Sequence, residues 1–160
     1  MQSLPTYTET KMYMYSVSPI FPRCTEVGIR YDLNINCNRF EIINNALWCV
    51  EHNTSRVHIY STDGAKQRII VSDVIMGGAS GIARVIDKAL VSSSKGLFTI
   101  SMDEPRHDVI KVFDGHFDDV CSSSRSSLVY VLTRAVPAQV VAISYSETLN
   151  VHIQNKVHLN

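Results

Sequence analysis

The sequence has no excess of charge of either sign. Its 15 basic residues balance 15 acidic ones over 160 residues, so no net field draws the whole chain toward phosphate or an anionic membrane. No apolar run approaches the roughly 18 residues that a membrane-spanning helix needs, and no basic segment followed by an apolar stretch opens the chain as in a signal peptide. The length of 160 residues is that of one ordinary domain, which is expected over residues 1–160, and these absences favour a chain that has no membrane partner.

Cysteine is scarce, and no C-x-x-C pair occurs. The four cysteines are Cys24, Cys37, Cys49 and Cys121. Without a secretion signal or metal-ligand spacing, they are expected to be free, mostly packed thiols rather than disulfides or zinc ligands. The expected location is therefore cytoplasmic. One pattern points the other way, because Asn53-Thr54-Ser55 fits the N-glycosylation sequon, although so short a pattern often arises by chance.

Segments of helical periodicity are also lacking. The best candidate, from Asp73 to Ala89, contains Gly77, Gly78 and Gly81, which disfavour a helix. The chain is instead rich in short apolar runs with many β-branched and aromatic residues, bounded by turn residues, which is the pattern of β-strands. The sequence therefore predicts an all-β fold.

Three segments follow one scheme of apolar strand, polar loop, second strand and turn. They are Ala46–Val50 with Arg56–Tyr60 and Asp63-Gly64, Gly96–Ile100 with Val109–Phe113 and Asp114-Gly115, and Ser127–Val131 with Gln139–Ile143 and a turn near Ser146. Asp-Gly after an apolar run is typical of hairpin turns, because glycine accepts the positive φ that such turns require. The scheme indicates an internal repeat.

A fainter copy precedes these three, with Met12 as the counterpart of Leu47, Leu97 and Leu128. The spacings of 35, 50 and 31 residues average near the roughly 40 to 45 residues of a four-stranded propeller blade. Further strands are expected at 39–44, 66–72 and 88–92, and the short last interval suggests that the second blade has lost or shortened a strand. The prediction is about three to four β-propeller blades, at roughly 10–38, 39–78, 79–120 and 121–160. They would form either a small closed ring or part of a larger propeller.

One segment resembles a blade of the NHL-type β-propeller family. It contains Leu47-Trp48, then Asn53, then Arg56-Val57-His58-Ile59-Tyr60 and the turn Asp63-Gly64, and the run from Val109 to Gly115 matches the later half of the same pattern. The resemblance implies a rigid scaffold that binds protein or RNA. Some relatives of that family are metal-dependent lactonases and lyases.

Two loops combine carboxylates with histidine and could hold a divalent cation. The first runs from Asp103 to Asp108 and contains His107, and the second contains Asp114, His116, Asp118 and Asp119. No ligand spacing here is diagnostic, so solvated loops beside an Asp-Gly turn are the competing interpretation. Metal binding stays open, and no catalytic or cofactor-binding residue is predicted.

The remaining conspicuous residues favour structural interpretations. His52 and His58 are expected on the surface or in a strand ladder, and Trp48 in the core. Gly77–Gly81 contains neither a phosphate-binding loop nor a G-x-S-x-G nucleophile elbow at Ser80, which favours a flexible linker between blades. The serine runs at 92–94, before Lys95, and at 122–127 are expected to be turns at corresponding places in two blades.

Three functions are compatible with this pattern. The first is a non-enzymatic platform that binds a protein partner or the remaining blades of a larger propeller. The second is a metal-dependent propeller hydrolase or lyase. The third, an NHL-like RNA-binding module, needs the basic residues to converge on one face; they are Lys66, Arg68, Arg84, Lys88, Arg125 and Arg134.

Overall fold

A computed structural model describes residues 10–17, 24–33, 35–61, 66–71, 75, 77–102, 107–123, 127–134, 136–145 and 151–158. For 10–17, 24–33, 66–67, 71, 145 and 151–158 the description covers the backbone alone. The strands are β1 (Thr10–Val17), β2 (Cys24–Leu33), β3 (Cys37–Ile43), β4 (Ala46–Glu51), β5 (Arg56–Ser61), β6 (Lys66–Val71), β7 (Ala79–Val85), β8 (Lys88–Ser93), β9 (Gly96–Ser101), β10 (Val109–Phe113), β11 (Phe117–Ser122), β12 (Leu128–Thr133), β13 (Gln139–Tyr145) and β14 (Val151–His158). The described chain is all-β, as the sequence predicts.

The strands form antiparallel sheets in chain order. A first sheet contains β3 to β6, a middle sheet contains β7 to β10, and a third sheet contains β11 to β14, while β1 and β2 form a hairpin. In each four-stranded sheet every strand pairs with its sequence neighbours. The first strand is therefore one edge of the sheet and the fourth strand is the other.

The three sheets stack face to face through two hydrophobic clusters. Trp48, Val57 and Ile59 of the first sheet pack with Val91 and Phe98 of the middle sheet in one cluster. The opposite face of the middle sheet packs against the third sheet through the second cluster. The near-continuous apolar character of β8 and β9 follows from this arrangement, because both of their faces are buried.

The first strands of the three sheets lie side by side, with β7 between β3 and β11. Four-stranded sheets that stack face to face, with their first strands together, form the radial arrangement of β-propeller blades. The first strands are therefore the innermost strands, and β6, β10 and β14 are the outer edges.

The interpretation that the blade containing Leu97 has lost or shortened a strand is wrong. That blade is the middle sheet, which has all four strands. Leu47 and Leu128 lie in second strands, whereas Leu97 lies in the third strand, β9. Cross-strand pairing makes Leu90 of β8 the counterpart of Trp48 and Tyr130. These counterparts are 42 and 40 residues apart, so the repeat is regular.

Two turn assignments also differ from expectation. Asp114-Gly115 is not a hairpin turn, because it connects β10 to β11 of the next sheet. The serine runs do not correspond, since Ser94 lies between second and third strands whereas Ser123 lies between first and second strands. Ser92 and Ser93 are buried residues of β8 rather than turn residues. The turn at Asp63-Gly64 lies outside the described residues.

Candidate functional site

Each innermost strand carries a β-bulge at its second residue. The pairing with the second strand skips Asn38 in β3, Ser80 in β7 and Asp118 in β11. A bulge adds an unpaired residue and can re-aim its side chain. The repeated bulge thus brings three polar side chains to the end of the molecule where the innermost strands begin, which we call the axial end.

Hydrogen bonds connect these bulges from one sheet to the next. The Asn38 amide nitrogen donates to the backbone oxygen of Ser80 over 2.8 Å. The Ser80 hydroxyl bonds in turn to the backbone oxygen of Phe117 over 2.9 Å, and lies 3.0 Å from the Ser92 hydroxyl. The bulged residues Asn38 and Ser80 therefore each fix the position of the following blade.

A salt bridge spans the axial end above Gly81. Arg39 Nε donates to Asp119 Oδ2 over 3.1 Å, which links the first sheet to the third. Arg39, Gly81 and Asp119 occupy the position that follows each bulge. A Cβ at Gly81 would lie 2.5 Å from Asp119 Oδ1, so the missing side chain makes room for the Asp119 carboxylate.

A polar cleft of about 270 Å³ opens at the axial end. It is lined by Asn38, Arg39, His52, Asn53, Gly77, Gly78, Ala79, Ser80, Ser94, His116, Phe117, Asp118 and Arg134. An adjoining depression of about 660 Å³ shares Asn53, Gly77 and Gly78 with the cleft. The two form one concave surface, built from the three innermost strands and the turns beside them.

The Gly77–Gly81 segment has a more definite structure than a flexible linker. Gly77 and Gly78 adopt φ values of +85° and +80° in the connection that precedes β7, a conformation that favours glycine. The Ser94 hydroxyl donates to the backbone oxygen of Gly77 over 3.0 Å. Ala79, Ser80 and Gly81 then belong to β7 itself.

The acidic residues of the second predicted metal loop are engaged in ion pairs. Asp118 lies 3.0 Å from Arg134 Nε, Asp119 bonds to Arg39, and Asp114 pairs with Lys111. His116 Nε2 lies 3.9 Å from Asp118 Oδ1, which is too long for a hydrogen bond. Within the described ranges, no group of three or more His, Cys, Asp or Glu residues is placed to hold a metal ion.

The first predicted metal loop is described only at its end, because residues 103–106 lie outside the described set. His107 bridges two sheets rather than pointing to a shared centre. Its Nδ1 lies 2.8 Å from the backbone oxygen of Ser101, and its Nε2 lies 2.9 Å from Arg68. Its ring meets Trp48 edge-on at 5.5 Å between centroids. The core position predicted for Trp48 is confirmed.

The two histidines of the first sheet have different environments. His52 is exposed in the turn after β4 and lines the cleft. His58 is buried in β5, where its Nε2 lies 3.0 Å from Glu51 Oε2. Its Nδ1 has no hydrogen-bond partner in the part of the chain that the structure describes. His58 is thus a residue of the strand ladder, whereas His52 belongs to the axial surface.

The thiols of Cys37, Cys49 and Cys121 are not disulfide-bonded, as the sequence predicts for them. A hydrogen bond with the Cys49 thiol lowers the pKa of Cys37, although burial opposes this effect. The same hydrogen bond, followed by burial, raises the pKa of Cys49. Burial also raises the pKa of the nearby Tyr60 to about 12. Cys24 lies in a strand described by its backbone alone.

The basic residues proposed for RNA do not all lie together. Arg84 and Lys88 lie near the turn between β7 and β8, at the end opposite the axial end, whereas Arg134 lines the axial cleft. Arg68 contacts His107 between two sheets. The side chains of Lys66 and Arg125 lie outside the described set. Within the part of the chain that the structure describes, Arg68, Arg84, Lys88 and Arg134 therefore do not share one face.

Sequence reasoning missed Asn38 and Arg39, the principal polar residues of the first innermost strand. A strand pattern alone does not show a bulge, because the pairing partner must be known. A correct repeat register would have aligned Asn38, Ser80 and Asp118 as polar residues at the second position of the three innermost strands. No helix within the described residues is long and apolar enough to cross a membrane.

The sequence matches no protein-family model and no curated protein. In structure, 98% of this chain is similar to 51% of a Bacteroides uniformis protein whose name gives 6-phosphogluconolactonase as a provisional activity, with a TM-score of 0.66 and 10% identity. AztD from Citrobacter koseri matches 83% of this chain and 38% of its own at a TM-score of 0.49 and 12% identity. The chain spans about half the length of the first protein. That similarity and the stacked sheets show that this chain is all-β and built from β-propeller blades.

Proposed function

We propose that this chain is a non-enzymatic interaction platform that binds a protein partner at its axial end. The observation that carries the proposal is the continuous concave surface there, formed by the polar cleft and the depression that shares Asn53, Gly77 and Gly78 with it. A surface built by several blades and their turns suits a segment of another protein better than a single small group.

The chemistry of the cleft supports recognition rather than catalysis. Asp118 and Asp119 pair with Arg134 and Arg39, and the Ser80 hydroxyl already bonds to backbone and to a neighbouring serine. Nucleophilic catalysis instead needs a base within hydrogen-bond reach of the nucleophile. Paired charges with adjacent hydrogen-bonding groups favour the orientation and choice of a polar partner.

The thiols of Cys37, Cys49 and Cys121 support a cytoplasmic location.

Paired variants at the two ends of the innermost strands test the proposal. The double variant H52A/H116A changes exposed axial residues, and the matched control R84A/D87A changes exposed residues at the opposite end. Tagged wild type and both variants are used to isolate proteins from an extract of the source cells, with quantification by mass spectrometry. We expect a partner that wild type and R84A/D87A retain and that H52A/H116A loses.

Binding of the purified partner then gives the magnitude. H52A/H116A should weaken the Kd at least about tenfold, because the lost contacts lie within the interface. If H52A/H116A retained the partner as well as wild type does, or if both variants lost it equally, the interface would lie elsewhere.

Two further measurements address the alternative functions. Elemental analysis of the purified chain that finds a stoichiometric divalent ion would favour the metal-dependent hydrolase or lyase. Fluorescence anisotropy with labelled single-stranded oligouridine would favour the NHL-like RNA-binding module if binding is tight and weakens steeply with salt.

A further inference from the structure

Two thiols of the first sheet lie on the same face of neighbouring strands. Cys37 of β3 pairs with Glu51 of β4. Cys49, two residues before Glu51, pairs with Phe40 of β3. Because cross-strand partners share a face and side chains alternate along a strand, Cys37 and Cys49 are diagonal neighbours on one face. Cys37 accordingly packs against the hydrophobic cluster that contains Cys49.

The β-bulge at Asn38 creates this arrangement. Cys37 and Phe40 are three residues apart, so a regular strand would place their side chains on opposite faces. The extra residue at Asn38 interrupts that alternation, and Cys37 therefore joins Phe40 on the face of Cys49. The bulge that brings Asn38 to the axial end thus also brings the two thiols together.

The two thiols differ in their access to solvent. Cys49 is fully buried, whereas Cys37 is half-buried at the first position of β3. A hydrogen bond joins the two side chains, and it favours the thiolate form of Cys37. The Cys37 thiol also donates to the backbone oxygen of Arg39 over 3.4 Å. A dissolved oxidant therefore reaches Cys37 first, and Cys49 stands beside it as a second sulfur.

We propose that Cys37 and Cys49 form a redox-active dithiol, which a hydroperoxide converts into a disulfide between β3 and β4. The Cys37 thiolate attacks an oxygen of the hydroperoxide, so that an S–O bond forms and the O–O bond breaks. Cys37 is thereby oxidised to a sulfenic acid, and the reduced oxygen fragment takes up the proton that the Cys37 thiol released. The Cys49 sulfur then attacks the Cys37 sulfur. An S–S bond forms, the S–O bond breaks, and the hydroxide leaves as water with the Cys49 proton.

The disulfide is expected to be readily reduced. Diagonal neighbours have Cα atoms roughly 7–8 Å apart, slightly more than the roughly 4.4–6.8 Å that a disulfide spans. Cys37 is the first residue of β3, so a small movement of the strand end beside the bulge closes the difference. A disulfide under such strain is more easily reduced than an unstrained one. We therefore expect a reversible modification rather than a permanent cross-link.

Peptide mapping of the oxidised chain tests the proposal. Tryptic cleavage separates Cys37, in peptide 31–39, from Cys49, in peptide 40–56, and the other two cysteines lie in further peptides. The folded chain is treated with hydrogen peroxide, denatured in iodoacetamide and digested without reductant. We expect one dominant cross-link, between peptides 31–39 and 40–56, which an excess of reduced glutathione reverses. A dominant cross-link that involves another cysteine, or the absence of any cross-link, would overturn the proposal.

Single-thiol variants separate the roles of the two residues. Cys49→Ser keeps a hydrogen-bond donor but removes the attacking sulfur, so dimedone should trap the Cys37 sulfenic acid at least about tenfold more than in wild type. Cys37→Ser should give no adduct at Cys49, because that thiol is buried. Cys121→Ser is the matched control at an exposed position of the third sheet and should leave the cross-link unchanged.

Far-UV circular dichroism checks that each variant folds, and the wild-type cross-link decides the question if one does not. Equal trapping at Cys37 in folded Cys49→Ser and in wild type would refute the role of Cys49 and, with it, the dithiol.

Discussion

At the scale of single residues, Gly81 and Asp119 show how a missing side chain shapes the axial end. The carboxylate of Asp119 occupies the space that a side chain at position 81 would need, and from there it reaches Arg39. The glycine is needed for close approach rather than for an unusual φ. The sequence indicates a glycine-rich segment here but not its purpose, because the neighbour of Gly81 is distant in sequence.

We therefore expect Gly81→Ala to destabilise the fold. The added Cβ would lie 2.5 Å from Asp119 Oδ1 and 2.9 Å from the Val120 backbone nitrogen, and such overpacking typically costs about 1–3 kcal/mol. Urea unfolding followed by circular dichroism measures the change. Adding Asp119→Ala to the variant removes the contact with the carboxylate and should recover part of the lost stability. The recovery should be incomplete, because the contact with the Val120 backbone nitrogen remains. An unchanged free energy of unfolding in Gly81→Ala would contradict this packing.

The pair of thiols in the first sheet gives a second prediction at this scale. The Cys49 thiol lowers the pKa of Cys37 by hydrogen bonding, so Cys37 should be more reactive as its thiolate forms. Cys49→Ala should raise the pKa of Cys37 and slow its alkylation by iodoacetamide at pH 7–8. Peptide mass spectrometry identifies the site, and Cys121→Ala serves as the control that leaves the rate unchanged. A Cys37 rate unaffected by Cys49→Ala would show that the hydrogen bond is unimportant.

At the scale of elements, the strands were predictable and their partners were not. Short apolar runs between turn residues predict most of the described strands, including β4, β5, β9 and β10, since that signal is local. The register of the repeat failed because Leu47 and Leu97 have similar surroundings in sequence but lie in second and third strands. The bulges could not be predicted either. A bulge is a property of a pair of strands, and the sequence does not show which strands pair.

The bulge in β7 supplies the prediction at this scale. Ser80→Ala removes the hydroxyl that bonds to the backbone oxygen of Phe117 and to Ser92. Leaving these part-buried groups without their partner should cost about 1–3 kcal/mol in urea unfolding. Ser122→Ala is the matched control at an exposed position of β11, with an expected change within about 0.5 kcal/mol. Equal effects of the two substitutions would mean that the bond between blades contributes little.

At the scale of the whole molecule, the fold class was predictable whereas the axial cleft was not. Repeated β units of about blade length indicate a propeller from sequence alone. The cleft assembles residues from three sheets, such as Asn38, Ser80 and Asp118, and nothing local marks them as neighbours. The acidic-histidine loops attracted attention by composition, but the carboxylates of Asp114, Asp118 and Asp119 serve ion pairs.

The central claim is that the middle sheet is enclosed between two others, with the innermost strands side by side at the polar cleft. Hydrogen exchange followed by mass spectrometry tests it most directly, because protection reports the free energy of local opening. We predict that peptides from 88–101, where β8 and β9 are buried on both faces, exchange more slowly than peptides from 128–145. Exchange at 88–101 that is as fast as at 128–145 would contradict the stacked arrangement and, with it, the origin of the cleft.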